Sequence, residues 1–364
     1  GPAAKAQATV DKALGWLKAQ QQPDGGWQAK PEEPPALTAI VLKAFVQQPG
    51  VTTKTDFVAK GYAKLLTYQL DSGGIYVDGL ANYNTSIALS SLAAANDPAF
   101  KPQIDKGVAY LKGTQWTERM AGAGPKGEVV KDKANPWYGG SGYGRGGRPD
   151  ASNTQVTVDA LHDAGLKPDD PAFQAALQFF TRVQNRSESN DQPWAGEDGG
   201  FIYSVANKGE SPAGEYVGPD GRRLLRSYGS MTYAGLKSMI YAGLTKDDPR
   251  VKAAWAWIAK NWTLDENPGM KLNSPEAATS GLYYYYHTLA KALNAYDEPV
   301  VTDAKGAKHD WRAELIDKLA ASQQPDGSWA GSKRWMEDKP LLTTAYAVLA
   351  LQEAAKDLKE HPAK

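Results

Sequence analysis

The stretch KALGWLKAQQQPDGGW, Lys12–Trp27, decides the fold because it is the first of six related segments. It joins an amphipathic helix pattern to a glutamine run, a Pro-Asp-Gly-Gly turn and a tryptophan. Leu315–Trp329, LIDKLAASQQPDGSW, is a close copy, and Lys60–Tyr76 is a looser one. The other copies are degenerate: Lys106–Gln115, Ala176–Gln184 and Ala254–Asn261. Self-similarity of this kind along a chain is the signature of a repeat architecture.

A second helix pattern follows each of these segments and opens near a threonine. The threonines are Thr38, Thr85, Thr154, Thr232, Thr279 and Thr343. The sequence around them is rich in alanine, serine, glycine and apolar residues on all sides, which is typical of a buried helix. The first helices carry charged residues on one face, so we expect them to lie outside. Six such pairs predict an all-α protein, an α/α toroid (barrel) of six helical hairpins with inner and outer helix rings.

The repeats run through the whole chain and predict a single toroid domain over residues 1–364. Two connections between a first helix and its partner are much longer than the others, 116–149 and 185–228. Because the inner helices all begin at the same end, we expect both insertions at the mouth of the ring. Insertions confined to one face of a repeat fold often mark its binding face. A third insertion, 295–310, follows an inner helix and is expected on the opposite face.

The composition excludes several classes of protein. Lys and Arg number 41 and Asp and Glu number 41, which argues against nucleic-acid binding, because that function usually shows a basic excess. The absence of cysteine excludes disulfides, thiolate zinc sites and a cysteine nucleophile. No stretch approaches the roughly 20 apolar residues of a membrane-spanning helix, so we expect a soluble protein. Gly1-Pro2 resembles the remnant of a protease site, which leaves localisation open, export included.

The third inner helix is preceded by a glycine-rich, basic segment and begins with a polar cluster, Asp150-Ala151-Ser152-Asn153-Thr154. Short polar side chains favour helix N-termini, where they accept hydrogen bonds from free backbone N–H groups. The positive end of the helix dipole points the same way. We select Asp150, Ser152 and Asn153 as the candidate catalytic residues. The alternative is that the cluster does no more than cap the helix.

The candidate substrate-binding residues are mostly aromatic or basic: Tyr143, Arg145, Tyr228, Tyr284, His287 and Trp335. Tyr143 and Arg145 belong to the glycine-rich segment, and a guanidinium pairs well with phosphate or carboxylate. A flexible surface loop is the alternative interpretation. Tyr284 and His287 lie on the fifth inner helix, where core packing is the competing role. Trp335 is expected at the mouth.

The QxxxGxW pattern at Gln21–Trp27 and Gln323–Trp329 resembles the QW motif of the prenyltransferase and squalene-cyclase repeat family, the terpenoid cyclases. The resemblance implies an α/α toroid with an isoprenoid or similar apolar ligand in its central cavity. Cyclases of this family protonate an alkene with an Asp-x-Asp-Asp-Thr motif. Asp150 and Thr154 match that motif, but Ser152 stands where the proton donor should be and Asn153 replaces the last aspartate.

Serine is not an acid, so the resemblance implies a catalytically atypical member of the family. Ordinary squalene-type cyclisation would need another acid, such as Glu197 or Asp198 from the second insertion. The zinc site of the prenyltransferases uses aspartate, cysteine and histidine. This chain has no cysteine and four histidines, so we expect no metal and no other cofactor.

Three functions remain open on the sequence. The first is a terpenoid-cyclase- or prenyltransferase-like protein with an isoprenoid-like ligand and altered or absent chemistry. The second is a carbohydrate-active lyase or hydrolase on the same kind of toroid. The third is a non-catalytic binding scaffold. Whether the protein is an enzyme, and how it assembles, stay undecided, and fold alone does not choose among the three.

Overall fold

The computed structural model describes residues 1–120 and 132–362, so part of the predicted insertion 116–149 lies outside the described residues. Within these ranges the chain forms twelve α-helices and four short β-strands. The helices are α1 Pro2–Ala19, α2 Ala36–Val46, α3 Asp56–Leu66, α4 Ala81–Ala94, α5 Lys101–Thr114, α6 Ala151–Asp163, α7 Pro171–Thr181, α8 Gly229–Tyr241, α9 Pro249–Lys260, α10 Leu282–Tyr296, α11 Trp311–Ser322 and α12 Pro340–Glu360. The strands are β1 Glu215–Val217, β2 Arg223–Leu225, β3 Val300–Thr302 and β4 Lys308–Asp310.

The helices alternate in burial as their sequences predict. In α3 the buried residues follow a helical spacing along one side, Val58, Gly61, Tyr62 and Leu65. In α8 every residue from Gly229 to Met239 is buried. An apolar stripe belongs to a helix with one face in water, and burial all round belongs to a helix covered by neighbours. The predicted all-α fold class, with paired one-sided and fully buried helices, is confirmed.

The chain divides into two compact units, Lys18–Phe179 and Gly1–Leu17 with Phe180–Lys364. In the first unit the even-numbered helices pack in series, α2 on α4 and α4 on α6, and α3 and α5 pack beside them. The second unit repeats this arrangement with α8 on α10 and α10 on α12, flanked by α9 and α11. Within each unit, the even-numbered helices thus bury their surfaces against one another in sequence order.

A glutamine at the end of an odd-numbered helix ties its turn to the following odd-numbered helix. Gln69 Nε2 donates to the carbonyl oxygen of Gly73 at 3.2 Å and to that of Gln103, in α5, at 3.0 Å. The same pair of bonds is made by Gln21, Gln115, Gln184 and Gln323. Asn261, in the fifth repeat, has a shorter side chain and donates to Trp257 in its own helix.

A threonine near the start of an even-numbered helix fixes the same turn from the other side. Thr38 Oγ1 accepts a hydrogen bond from the backbone N–H of Trp27 at 2.8 Å. Thr85, Thr154 and Thr232 accept equivalent bonds from their own turns. In these four repeats the bond fixes the position of the even-numbered helix relative to the turn that precedes it.

One of the predicted threonines, Thr279, does not lie at the start of its buried helix. Thr279 ends a 3₁₀ helix, Pro275–Thr279, and α10 begins only at Leu282. The cause is Gly281, whose φ of +65° interrupts the helical backbone. In the last repeat Thr343 lies in the first turn of α12, as predicted, and donates to the carbonyl oxygen of Trp329. The neighbouring Thr344 accepts from the Trp329 N–H at 3.0 Å.

Two insertions contain β-hairpins that the sequence analysis did not predict. Within 185–228, β1 pairs with β2 in antiparallel register, Tyr216 opposite Leu224. In the 295–310 insertion, β3 pairs with β4, Val301 opposite His309. Both hairpins lie in the second unit. None of the helices in the described ranges combines the length and the apolar character that crossing a membrane requires.

Replacing Gln115 by alanine should destabilise the protein by about 2 kcal/mol, because two buried carbonyl groups lose a hydrogen-bond donor. The bonds lost go to Gly139 at 2.9 Å and Ala172 at 3.0 Å. Urea denaturation measures the change. Asn261→Ala is the matched control, since Asn261 makes no bridge to another helix, and we expect it to cost less. Equal losses in the two variants would contradict a bridging role for the glutamine.

Candidate functional site

The polar cluster at the start of α6 is built on the cap of that helix. Asp150 has extended backbone angles and its side chain is fully buried. Its Oδ1 accepts the Asn153 backbone N–H at 2.7 Å, and its Oδ2 accepts Asn153 Nδ2 at 2.7 Å. Its backbone oxygen accepts Thr154 Oγ1 at 2.7 Å. Both carboxylate oxygens therefore serve as acceptors within the helix start.

A second set of bonds joins this cap to α4. Asn82 Nδ2 donates to the backbone oxygen of Asn153 at 3.0 Å and to its Oδ1 at 3.3 Å. Thr157 Oγ1 donates to Asn82 Oδ1 at 2.9 Å. Asn82 and Asn153 are both buried, at 1% and 0% exposure. Buried amides held on both ends fix side chains rigidly, so this part of the cluster positions the start of α6 against α4.

Ser152 is paired with a residue that the sequence analysis did not select, Tyr83. The Tyr83 hydroxyl and Ser152 Oγ are in hydrogen-bond contact. The Tyr83 ring stacks on Tyr143, with centroids 6.0 Å apart and an angle of 26° between the ring planes. Ser152 is 8% exposed and Tyr143 is 42% exposed. We call Asn82, Tyr83, Tyr143, Asp150, Ser152 and Asn153 the α6 cluster.

A signal for Tyr83 was present in the sequence. Tyr83 stands two residues before Thr85, and Ser152 stands two residues before Thr154. Residues in the same register of neighbouring, similarly bonded helices face each other, so aligning the repeats on their threonines would have paired Tyr83 with Ser152. The contact joins two positions 69 residues apart, which a local motif search does not reach.

The glycine-rich segment before α6 is a closed loop. The Asp150 N–H donates to Ser141 at 3.1 Å, and Trp116 Nε1 donates to Gly147 at 2.8 Å. Arg145 lies in this loop and is exposed. Burial raises the pKa of the Tyr110 phenol, and the Arg145 charge acts against that shift. Arg145 therefore lies close enough to Tyr110 for its positive charge to lower the pKa of that phenol.

The second unit holds the other aromatic candidates. Tyr284 and His287, on α10, both lie against the ring of Tyr346, on α12, with centroid distances of 6.0 and 5.5 Å. Tyr228 is 2% exposed and stands at the N-cap of α8, the position that Asp150 has on α6. The backbone oxygen of Tyr228 accepts Thr232 Oγ1 at 2.9 Å, as that of Asp150 accepts Thr154.

Glu337 is a buried acid that the sequence analysis missed. It is 1% exposed. Its Oε1 accepts the backbone N–H of Tyr283 at 3.1 Å, and its Oε2 accepts that of Tyr284 at 3.0 Å. Burial raises the pKa of this carboxyl to about 7, although the backbone N–H groups of Tyr284, Tyr283 and Leu282 oppose the shift. One carboxyl group therefore caps α10 from outside the helix.

Squalene-type cyclisation would need another acid, such as Glu197 or Asp198. Asp198 occupies the turn position that Asp24 and Asp326 have in their repeats: in all three, Oδ1 accepts the backbone N–H two residues on. It also accepts Ser227 Oγ at 2.7 Å. Glu197 is exposed. Asp198 thus stabilises a turn, as its counterparts do. Among the described residues, no three or more histidine or acidic side chains are grouped where they could hold a metal ion.

No protein-family model and no curated protein sequence matches the chain. Among solved structures, type II terpene cyclase MstE from Scytonema, in complex with its substrate geranylgeranyl dihydroxybenzoate, aligns with a TM-score of 0.57 at 16% identity, over 98% of this chain and 99% of that one. The same cyclase without ligand gives 0.55 at 15% identity, with the same coverage. A protein from Actinoplanes gives 0.51 at 18%, over 96% and 99%. The chain therefore shares the fold of a type II terpene cyclase along nearly its whole length.

Proposed function

We propose that this chain is a terpenoid-cyclase-like protein that binds an isoprenoid or a similarly apolar ligand. The observation that carries the proposal is the shared fold with a cyclase whose structure holds a geranylgeranyl arene, over 98% of this chain. The half-exposed Tyr143 and the rings of Tyr83 and Tyr284 support it, since aromatic side chains offer apolar surface with a polar handle.

We further propose that the α6 cluster does not initiate cyclisation by protonating an alkene. Protonation of that kind needs a carboxylic acid that is neutral when substrate binds. The position that should carry it holds Ser152, whose Oγ contacts the Tyr83 hydroxyl. The nearest carboxylate, Asp150, accepts two bonds from Asn153. The cluster suits ligand binding, or chemistry that does not start with a strong acid.

The test is a binding and turnover assay with geranylgeranyl dihydroxybenzoate and with geranylgeranyl diphosphate. We expect a rise in melting temperature, because a ligand at 100 times its Kd adds about 2.7 kcal/mol to the stability of the folded state. We expect recovery of the prenylated arene unchanged. Ser152→Leu should weaken binding by crowding the cluster. Ser90→Leu is the control, because Ser90 is also 8% exposed but lies outside the cluster.

Three outcomes would count against the proposal. A thermal shift with acidic oligosaccharides and none with prenyl compounds would support the carbohydrate-active alternative instead. A cyclised product from the wild-type chain would refute the proposal that the α6 cluster does not initiate cyclisation. Equal losses in Ser152→Leu and Ser90→Leu would show that the α6 cluster is not where the ligand binds.

A further inference from the structure

The segment Gly331–Glu337, which we call the strap, closes on itself just before α12. The Gly331 N–H donates to the backbone oxygen of Glu337 at 2.7 Å, and the Glu337 N–H points to the oxygen of Arg334 at 3.5 Å. Lys333, Arg334 and Trp335 are exposed. The strap is therefore a closed loop, and Lys333 and Arg334 in its middle are exposed to solvent.

The strap is held in a strained conformation. Trp335 has φ +57° and Met336 has φ +65°. Residues other than glycine reach the left-handed region at a cost of about 1–3 kcal/mol each, and they persist there only when the surroundings enforce it. Two such residues in succession require contacts that outweigh the strain.

Those contacts are made to the start of α10. The Glu337 carboxylate accepts the N–H groups of Tyr283 and Tyr284. The Trp335 ring lies directly on Gly281, where a β-carbon would collide with it. Gly281 itself has φ +65°, a conformation that favours glycine, and the missing side chain leaves room for the ring. One carboxylate and one indole hold the strap closed.

We propose that the strap is a hinged cover for the first turn of α10, that Glu337 is its latch, and that it opens as a unit while the helices stay folded. The left-handed backbone of Trp335 and Met336 favours opening, and the bonds of Glu337 oppose it. Opening uncovers Gly281 and the N–H groups of Tyr283 and Tyr284. It changes access to the helix face that carries Tyr284. The inference does not depend on the proposed function.

Limited trypsin digestion of the full chain tests this, because Lys333 and Arg334 are cleavage sites inside the strap. Early cleavage at each site is quantified by mass spectrometry. Glu337→Ala removes the latch and should speed cleavage in the strap by about tenfold, since cleavage follows the population of the locally open state. Met336→Gly relieves strain and should slow it by about threefold, because glycine adopts a positive φ without penalty.

Two references accompany the variants. Cleavage after Lys305, in the β3–β4 loop, reports on the chain outside the strap, and its rate should be the same in the variants as in the wild type. Glu33→Ala removes another glutamate that accepts a backbone N–H, that of Ala29 at 3.0 Å, and should leave strap cleavage as in the wild type. The proposal is overturned if Glu337→Ala cleaves at the wild-type rate, or if cleavage rises equally at Lys305. Faster strap cleavage in Met336→Gly would overturn it too, and that variant decides the matter if Glu337→Ala fails to fold.

Discussion

Alanine in place of Gly139 is expected to destabilise the protein by more than about 3 kcal/mol, or to prevent folding, because two penalties act together. Gly139 has φ +85°, and a β-carbon there would collide with the carbonyl oxygen of Ala175, in α7. That carbonyl belongs to a helix backbone and cannot rotate away. The variant is compared with wild type by urea denaturation and by its yield of folded protein.

Gly50 supplies a matched control for Gly139. It has φ +79°, but a β-carbon there would have nothing within 4 Å. Gly50→Ala therefore carries only the backbone penalty of about 1 kcal/mol for a left-handed residue. The difference between the two variants measures the collision. If Gly50→Ala and Gly139→Ala lose the same free energy of unfolding, close packing of the turn on α7 is not what requires glycine.

The wild-type chain should lose stability relative to Glu337→Gln as the pH rises from about 4.5 to above 7. Burial raises the folded-state pKa of Glu337 from its ordinary value of 4.5 to about 7. As the pH rises, the Glu337 carboxyl therefore stays protonated to a higher pH in the folded state than in the unfolded state. The contribution of this proton to the free energy of unfolding is complete below pH 4.5 and is lost as the pH passes through 7. A shift of this size corresponds to about 3 kcal/mol.

Urea denaturation of both proteins at steps between pH 4 and pH 8 measures this effect. The difference between the two curves isolates Glu337, because His309 and the other titrating groups contribute equally to both. Burial raises the pKa of Tyr283 and Tyr286, in α10, and of Tyr346, in α12, and the nearby Glu337 carboxylate adds to each shift. They stay neutral throughout that range. A constant difference from pH 4 to pH 8 would contradict the expectation.

The helical repeat could be predicted from the sequence because its signals are local. The Gln21–Trp27 turn carries its own glutamine, glycine and tryptophan, and the buried helices are apolar over a single continuous stretch. The start of the buried helix in the fifth repeat was misplaced for a local reason as well, because Gly281 delays the start of α10 beyond Thr279. The hairpins β1–β2 and β3–β4 were not predicted because each strand has three residues. Three residues are too few to show the alternation of apolar and polar side chains that indicates a strand.

The candidate site was predicted in part. The cap on α6 follows from residue preferences, and Asp150 occupies it. Tyr83 and Glu337 could not be found in that way, because each acts on residues distant in sequence. Glu337 lies in a run of charged residues that is typical of a solvated loop, yet it is 1% exposed because it caps a helix that begins 55 positions earlier. The catalytic and ligand-binding roles stay predictions for all of the candidates: Asp150, Ser152, Asn153, Tyr143, Arg145, Tyr228, Tyr284, His287 and Trp335.

The glutamine bridges also determine when α1 can find its packing partners during synthesis of the chain. The bridge from Gln323 reaches Thr9, in α1, at 3.0 Å, across 314 positions. Translation adds 5–20 residues per second, so α1 emerges roughly 15 to 60 s before its partner does. Until residue 180 has been added, Val10, Leu14 and Leu17, which end up buried, have no residue of 180–364 to pack against. Nascent α1 therefore presents an apolar face to its surroundings during that time.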